Sequence, residues 1–461
     1  MINIAFSTSE ERKVKSQAAM DIPQHVLGGL FHSRFFRYVL GIYGTQVTVA
    51  AVGLITGVAV ARVLGPEGRG AYAVAAVISV IGVQLGSLGM QGSNSYFVAR
   101  DRTMLAPTLV NSLVVSLVVG SAGGAACWLI FRTFPGAVPI DSSLMVLAIL
   151  GIPIGLAYFF IINLLMALQE VRIFNIIELS NKVLAALFIV GAVASRARTA
   201  QAFLLLVLLA QTVCLGLALR ILIKFCDSPM TPSVSVFRKN FSIGWKVYLS
   251  CVFGFLVVRI DLLMVRSLSG AAPAGYYSIV GSLGDYVLML PTAVSMLLFP
   301  KLSSIHDESE KRTLTLKAVA VTSLALAAVL LLLVVSGKVI IGLLFGKAFL
   351  PASTAVFFLA PGILFLGVEV VLVQYLNSCG FPASVVVLWI FSTFLNIGLN
   401  WWAIPAYGIN GAAAVSSISY LFALGGVAWM TRRKWKSAKS PVMSDDLHDS
   451  LQTFAPGQEQ E

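Results

Sequence analysis

Apolar runs of about 20 residues recur along this chain, separated by short polar or small-residue turns. That is the length a helix needs to cross a hydrocarbon core about 30 Å thick. Twelve such runs follow one another, at approximately 38–63, 71–98, 107–131, 143–168, 174–194, 200–224, 243–267, 275–299, 315–336, 353–379, 383–403 and 410–430. The pattern predicts an all-α integral membrane protein. Residues 1–37 are polar and mixed and read as a cytosolic tail, with a short interfacial helix over 26–36. The basic cluster Arg12-Lys13-Val14-Lys15 is not followed by the apolar region of a cleavable signal. The connection over 225–242, with Pro229 and Pro232, divides the chain into a six-helix lobe over 38–224 and a second over 243–430. The tail over 431–461 is basic, then acidic and polar, a composition that predicts disorder.

An internal echo supports that division. Arg62–Tyr72 (RVLGPEGRGAY) and Arg266–Tyr276 (RSLSGAAPAGY) share length, a leading Arg, Leu at the third place and a closing Tyr, at an offset of 204 residues. Both are predicted to be outside turns joining the first two helices of their half. Gly151–Glu170 in the fourth span matches Gly362–Phe381 in the tenth, each with an early Gly and a proline nearby, Pro153 and Pro361. Two matches in the same order predict a duplicated bundle, and repeats with a site at their interface are a recurring transporter plan.

Composition narrows the class further. At 58% hydrophobic, 11% charged and mean hydropathy +0.90, the chain is unlike soluble proteins, which carry about 25% charged residues. The net charge of +12 could suggest nucleic acid, but topology accounts for it. Counting Lys and Arg in the connections places 21 on the side of the termini and 8 on the other, so both termini are expected in the cytoplasm of a bacterial inner membrane and no nucleic-acid partner is called for. Four of the five cysteines lie in apolar runs and Cys226 in a polar loop, which implies no disulfide framework. All four histidines fall outside the apolar runs, so neither a His-based metal site nor a Ser/His relay within the membrane is supported, and no cofactor is implied.

Several stretches resemble the polysaccharide flippase family, the O-antigen or lipid-linked oligosaccharide translocases of the multidrug/oligosaccharidyl-lipid/polysaccharide exporter superfamily. They are Arg62-Val63-Leu64-Gly65-Pro66-Glu67-Gly68 leading into Gly70-Ala71-Tyr72, Tyr96-Phe97-Val98-Ala99-Arg100, Arg259-Ile260-Asp261, Ala274-Gly275-Tyr276-Tyr277-Ser278, Leu298-Phe299-Pro300-Lys301-Leu302, and Ile404-Pro405 followed by Gly408-Ile409-Asn410-Gly411-Ala412-Ala413. The resemblance covers residues 38–430 in order. It implies two six-helix lobes around a central cavity, alternating access, and export of a polyprenyl-diphosphate-linked sugar for polysaccharide biosynthesis. The implied partners are that lipid-linked substrate, membrane lipids, and a polysaccharide polymerase or export machinery.

Charges deep in hydrocarbon cost about 2.5–3.5 kcal/mol each on insertion scales and survive where they face protein or water. Arg259 and Arg266 are seven residues apart and share a helical face, about 10 Å apart along the axis. Both are cavity candidates, and Arg259 would suit a diphosphate because its planar guanidinium forks onto two oxygens. The competing reading has Arg259 snorkelling outward while Asp261, about 200° round the helix, bonds a neighbouring helix. Glu178 and Lys182 are spaced i, i+4 in the favourable order for a self-neutralising pair; otherwise Lys182 faces the cavity as a second cation. Asp285 and Glu369 lack a sequence-adjacent partner and are candidates for ion coupling or for counter-ions to an Arg across the lobes, as are Asp261 and Glu178. Asn377 is a candidate sugar contact. Gly53/Gly57, Gly82/Gly86 and Gly120/Gly124 are spaced for helix packing.

A drug or cation antiporter of the same superfamily is the alternative, and it would favour an acidic cavity where Arg259 and Lys182 add cations. A membrane glycosyltransferase, ligase or polymerase would carry a sizeable polar outside loop, and the outside connections here are short with no histidine. A purely structural subunit leaves the buried charges unexplained.

Overall fold

Glycine and proline set where the helices turn. The first helix, α1 (Arg34–Gly86), breaks at Gly65, whose φ of 66° is open to glycine at no steric cost. Pro66 then opens the second arm of α1, a position where its missing N–H leaves no helical bond unmade. The last helix, α11 (Ala383–Ser437), breaks in the same way at Gly408, φ 59°. Side chains cap other starts: Thr199 accepts from Ala202 N–H at 3.2 Å, and Asp307 from Ser309 and Glu310 N–H at 3.2 and 3.1 Å.

The computed structural model describes residues 34–136, 139–380 and 382–437. The chain divides into two units, Met1–Thr48 and Val49–Glu461. Of the first, the described residues begin α1. The second holds the rest of the bundle. Between α1 and α11 run α2 (Met90–Arg100), α3 (Leu105–Thr133), α4 (Ser142–Ala167), α5 (Val171–Ala194), α6 (Ala200–Ile223), α7 (Val234–Ser269), α8 (Ala271–Ser304), α9 (Glu308–Leu344) and α10 (Ala352–Ser378). Among the described residues, ten helices are long and apolar enough to cross a membrane, and no strand is present. Because α1 and α11 each change direction at a glycine halfway along, ten helices make the twelve expected passes.

Several boundaries differ from expectation. The second pass ends at Gly86 rather than near residue 98: Leu88 (φ 48°) and Gly89 (φ 72°) break it, and α2 is a separate short helix. In the second lobe α8 runs on through Pro291 and Pro300 without such a break. Helix α7 starts at Val234, inside the expected connection over 225–242, because Ser233 caps it. Helix α11 continues to Ser437, into the tail predicted to be disordered; residues 438–461 lie outside the described residues. The expected interfacial helix over 26–36 falls almost wholly outside them as well.

Among the described residues of the second unit, α1 (from Val49 on) to α6 form one lobe and α7–α11 the other. The fourth and tenth passes, α4 and α10, are the ones matched by the sequence echo. They are 61% and 56% buried against 11–33% for the other passes, so each is the central helix of its lobe. Gly82 and Gly86 pack against Ile152 and Leu156 of α4, and Gly120 and Gly124 of α3 against Pro153 and Ile149. Gly53 and Gly57 do not pack this way. Nothing lies within 4 Å of a Cβ at Gly57, and both glycines line a hollow instead.

The two faces of the bundle are packed differently. At the end of the bundle opposite Ser437, here the far face, Ala61, Val74, Leu144 and Leu204 of the first lobe join an apolar core with Val265, Ala274, Tyr277 and Phe349 of the second, and that core runs on through the second lobe to Leu376 and Val427. On the side of Ser437, the near face, the first lobe has its own core of Leu105, Ile161, Leu165, Cys214 and Leu222, and hydrogen bonds cross to the second lobe from Asn240 to Asn94 at 2.6 Å and from Asn111 to Ser233 O at 2.8 Å.

Candidate functional site

The charged residues of the membrane interior gather where the lobes meet. Helix α7 brings Arg259 and Asp261, α8 brings Tyr277, Ser278 and Ser282, and the second arm of α1 brings Arg69 and Tyr72. Together they line a hollow of about 160 Å³. A second hollow, about 240 Å³, shares Arg69, Tyr72 and Ser282 and adds Gly53, Gly57, Lys182 and Tyr286.

Within these hollows the charges are unequally partnered. One Arg259 nitrogen, Nη2, donates to both carboxylate oxygens of Asp285 at 3.0 Å, which leaves the other guanidinium N–H groups free of any carboxylate. Arg259 therefore does not snorkel outward, and Asp285 is its counter-ion within the same lobe rather than across the lobes. Arg69 donates from Nε to Ser278 Oγ at 3.2 Å across the seam, and its guanidinium lies 5.5 Å from the Tyr72 ring centroid. Neither Arg69 nor Lys182 has an ion pair among the described residues. The expected Glu178–Lys182 pair is not formed. Tyr158 O–H donates to Glu178 at 2.8 Å instead, which turns Glu178 toward a separate, mainly apolar hollow of the first lobe.

Asp261 is buried and fully occupied: it accepts from Tyr277 O–H, from Ser416 O–H at 2.8 Å and from Leu262 N–H at 2.8 Å. It ties α7 to α8 and α11, as the interhelical reading of this residue has it. Glu369 is 1% exposed, its Oε1 has no hydrogen-bond partner, and it lines none of these hollows. Arg266 is not a cavity residue. Seven positions along from Arg259 it has reached the last turn of α7, where it donates to Pro139 O in the α3–α4 connection. Asn377 sits in the last turn of α10, donating to Gln374 of its own helix at 3.3 Å, away from the hollows.

Sequence reasoning missed Arg69 by treating it as part of an outside turn. The signal was present: Pro66 starts a helix, so Arg69 and Tyr72, three and six residues further on, lie within its first two turns and share one face.

Three cations and two carboxylates, Asp285 paired with Arg259 and Asp261 held by hydroxyls, converge with hydroxyl donors on a cleft between two six-pass lobes. Such a cleft can hold an anion: guanidinium groups take phosphate-type oxygens in pairs, and low surrounding dielectric strengthens the attraction. A bundle with this architecture and cleft has counterparts in fold among solved membrane transporters of the MOP superfamily. In the fold it is similar to the inward-facing conformation of a multidrug resistance MATE family transporter of that superfamily, with a TM-score of 0.71 and 15% identity over 88% of this chain and 99% of that one. It is also similar to the lipid II flippase MurJ in an inward closed conformation, with a TM-score of 0.70 and 13% identity over 85% and 87%. The chain belongs to the polysaccharide biosynthesis protein family, whose model matches residues 59–354. Among curated relatives it is 24% identical over 205 residues to the probable low-salt glycan biosynthesis flippase Agl15 of Haloferax volcanii. That match spans 43% of this chain and 42% of the relative.

Proposed function

We propose that the chain moves a polyprenyl-diphosphate-linked oligosaccharide across the cytoplasmic membrane by alternating access, as a step of polysaccharide export. The observation that carries this reading is the excess of unpaired cations in the cleft, Arg69 and Lys182 beside Arg259. A lipid-linked oligosaccharide presents variable, neutral sugars and a constant anionic diphosphate, and a cleft serving such substrates gains most from fixed cations at the constant group. The similarity to a glycan biosynthesis flippase and to a lipid II flippase supports the same substrate class. The drug or cation antiporter reading fits less well, because the carboxylates beside the cleft are already held, Asp285 by Arg259 and Asp261 by Tyr277 and Ser416.

The test is complementation of glycan export in a strain lacking the chain. Arg259→Ala should abolish export with membrane-inserted protein retained, and Arg259→Lys should restore it in part, since Lys is a point charge without the planar fork. Full export by the alanine variant at normal expression would reject the role.

A further inference from the structure

The contacts that hold the far face together are related by the sequence repeat. Gly65 and Gly270, one place off the register of the 204-residue echo, break the chain with φ 66° and 102°, and Pro66 and Ala271 begin the helices that follow. Gly70 and Gly275 are each four residues further on. A Cβ at Gly70 would stand 2.0 Å from Ala271 O, and one at Gly275 would stand 2.0 Å from Pro66 O. Each helix therefore lies with its first turn on the backbone of the other, and only glycine permits the approach.

The two leading arginines of the repeat flank this contact. Arg62, from the first lobe, donates through Nε to Leu344 O at 2.7 Å and through Nη2 to Leu343 O, in the last turn of α9. Those are carbonyls that a helix end leaves without a partner, at the negative end of its dipole. Arg266, from the second lobe, donates to Pro139 O just beyond α3, and Ser267 O–H donates to Gly136 O at 3.3 Å. Asp141 and Glu67 of the first lobe attract Arg266 in addition. Arg62 thus reaches from the first lobe to the end of α9, and Arg266 from the second lobe to the connection between α3 and α4.

We propose that this arrangement is a reciprocal latch that keeps the far face shut, and that transport opens the far face by releasing both arginines together. The proposal rests on the transporter reading but not on the identity of the substrate. The partners suit release. The arginines are bound by carbonyls at a water-accessible rim, where water can replace each bond, so the net stabilisation per contact is modest. The first-lobe residues Ala61, Val74, Leu144 and Leu204 that join the shared apolar core also lie in this half of the bundle, while the near half of the first lobe has its own core. Arg69 adjoins Gly70 and bonds Ser278 across the same seam, so an anion drawing on Arg69 acts directly beside the latch.

The test reads access to the hollow from each side. Gly281 lines the hollow, and nothing lies within 4 Å of a Cβ placed there, so Gly281→Cys puts a thiol in open space. Labelling of this variant by a membrane-impermeant maleimide is compared in vesicles of both orientations, against the full chain without the added cysteine. Adding R62A and R266A together should raise far-side labelling about tenfold, equivalent to about 1.4 kcal/mol in the opening equilibrium, with smaller rises for either alone. Adding G70A, which wedges a methyl group into the seam, should do the same and lower near-side labelling. Far-side labelling unchanged in the R62A/R266A variant overturns the latch, whether or not G70A inserts. Because no glycan enters the assay, failure of a diphosphate ligand to bind would reject the substrate reading and leave this result standing.

Discussion

Removing Asp285 should strengthen anion binding, whereas removing its partner should weaken it. Asp285 and an incoming diphosphate compete for Arg259, whose Nη2 stands 3.0 Å from both carboxylate oxygens. Two unit charges about 4 Å apart attract by about 4 kcal/mol at an effective dielectric of 20 and by about 1 kcal/mol in water. The side chains are 30% and 40% exposed, so the pair belongs between those limits, at about 2 kcal/mol. Asp285→Asn keeps the shape and one acceptor oxygen while deleting the competing charge. A gain of about 1.4 kcal/mol of that total tightens diphosphate binding about tenfold. Arg259→Ala should weaken binding by about as much or more, and the double variant should behave like Arg259→Ala alone, since the acid acts only through the arginine. The assay is titration of the detergent-purified chain with farnesyl diphosphate, followed by thermal shift, with farnesol as the uncharged control. The unliganded Asp285→Asn protein should melt lower, because a cation is left unpaired, and ligand should restore it. If Asp285→Asn weakened farnesyl diphosphate binding as much as Arg259→Ala does, the pair would be a structural clamp and the competition argument would fail.

Two further outcomes are expected. Glu369→Gln should insert and melt within about 0.5 kcal/mol of the parent, because Glu369 Oε1 has no partner to lose and a charge at a 1% exposed site has nothing to offset its desolvation; a melting loss comparable to that of a broken buried ion pair would show an ionised, partnered Glu369. At the near-face rim, the hydroxyl and N–H groups of Ser309 and the N–H of Glu310 hold Asp307 below the ordinary carboxylate range. A depressed folded-state pKa contributes stability above the unfolded value and loses it as pH falls through the folded one. Amide protection of the first turn of α9 should therefore be pH-independent from neutral to mildly acidic conditions and fall only below the ordinary carboxylate range, and Asp307→Ala should remove that dependence.

What the sequence made legible is what a one-dimensional pattern can carry. Run length alone placed the twelve passes, because the bilayer fixes how many apolar residues a helix needs. The echo between Arg62–Tyr72 and Arg266–Tyr276 pointed to two turns that meet at the far face, and α4 and α10 are the most buried of the membrane-length helices. Partner choice was not legible, since it depends on which helices meet. Glu178 lies one turn from Lys182, yet the hydroxyl of Tyr158 on α4 reaches it instead. Asp285 is bonded from α7, a helix that hydropathy alone cannot orient. The break at Leu88 escaped notice because a leucine with positive φ carries no compositional mark; its neighbour Gly89 was the available hint.

The same seven-residue spacing that misassigned Arg266 explains how the two arginines of α7 divide their work. Both lie on the face of α7 turned toward the other lobe, about 10 Å apart along the axis. Arg259, deep in the bundle, meets a carboxylate and open space, and so can hold an anion. Arg266, at the helix end, meets backbone carbonyls of the opposite lobe and closes the rim. In the first lobe the same two tasks fall to Arg69 and Arg62, seven residues apart again but divided by the break at Gly65. Each lobe thus supplies one cation to the cleft and one to the rim from a single short stretch of chain. A tilt of either lobe that separates the rim must also move the cations that line the cleft, so binding and opening are joined through the backbone of α7 and of the second arm of α1, with no separate relay required.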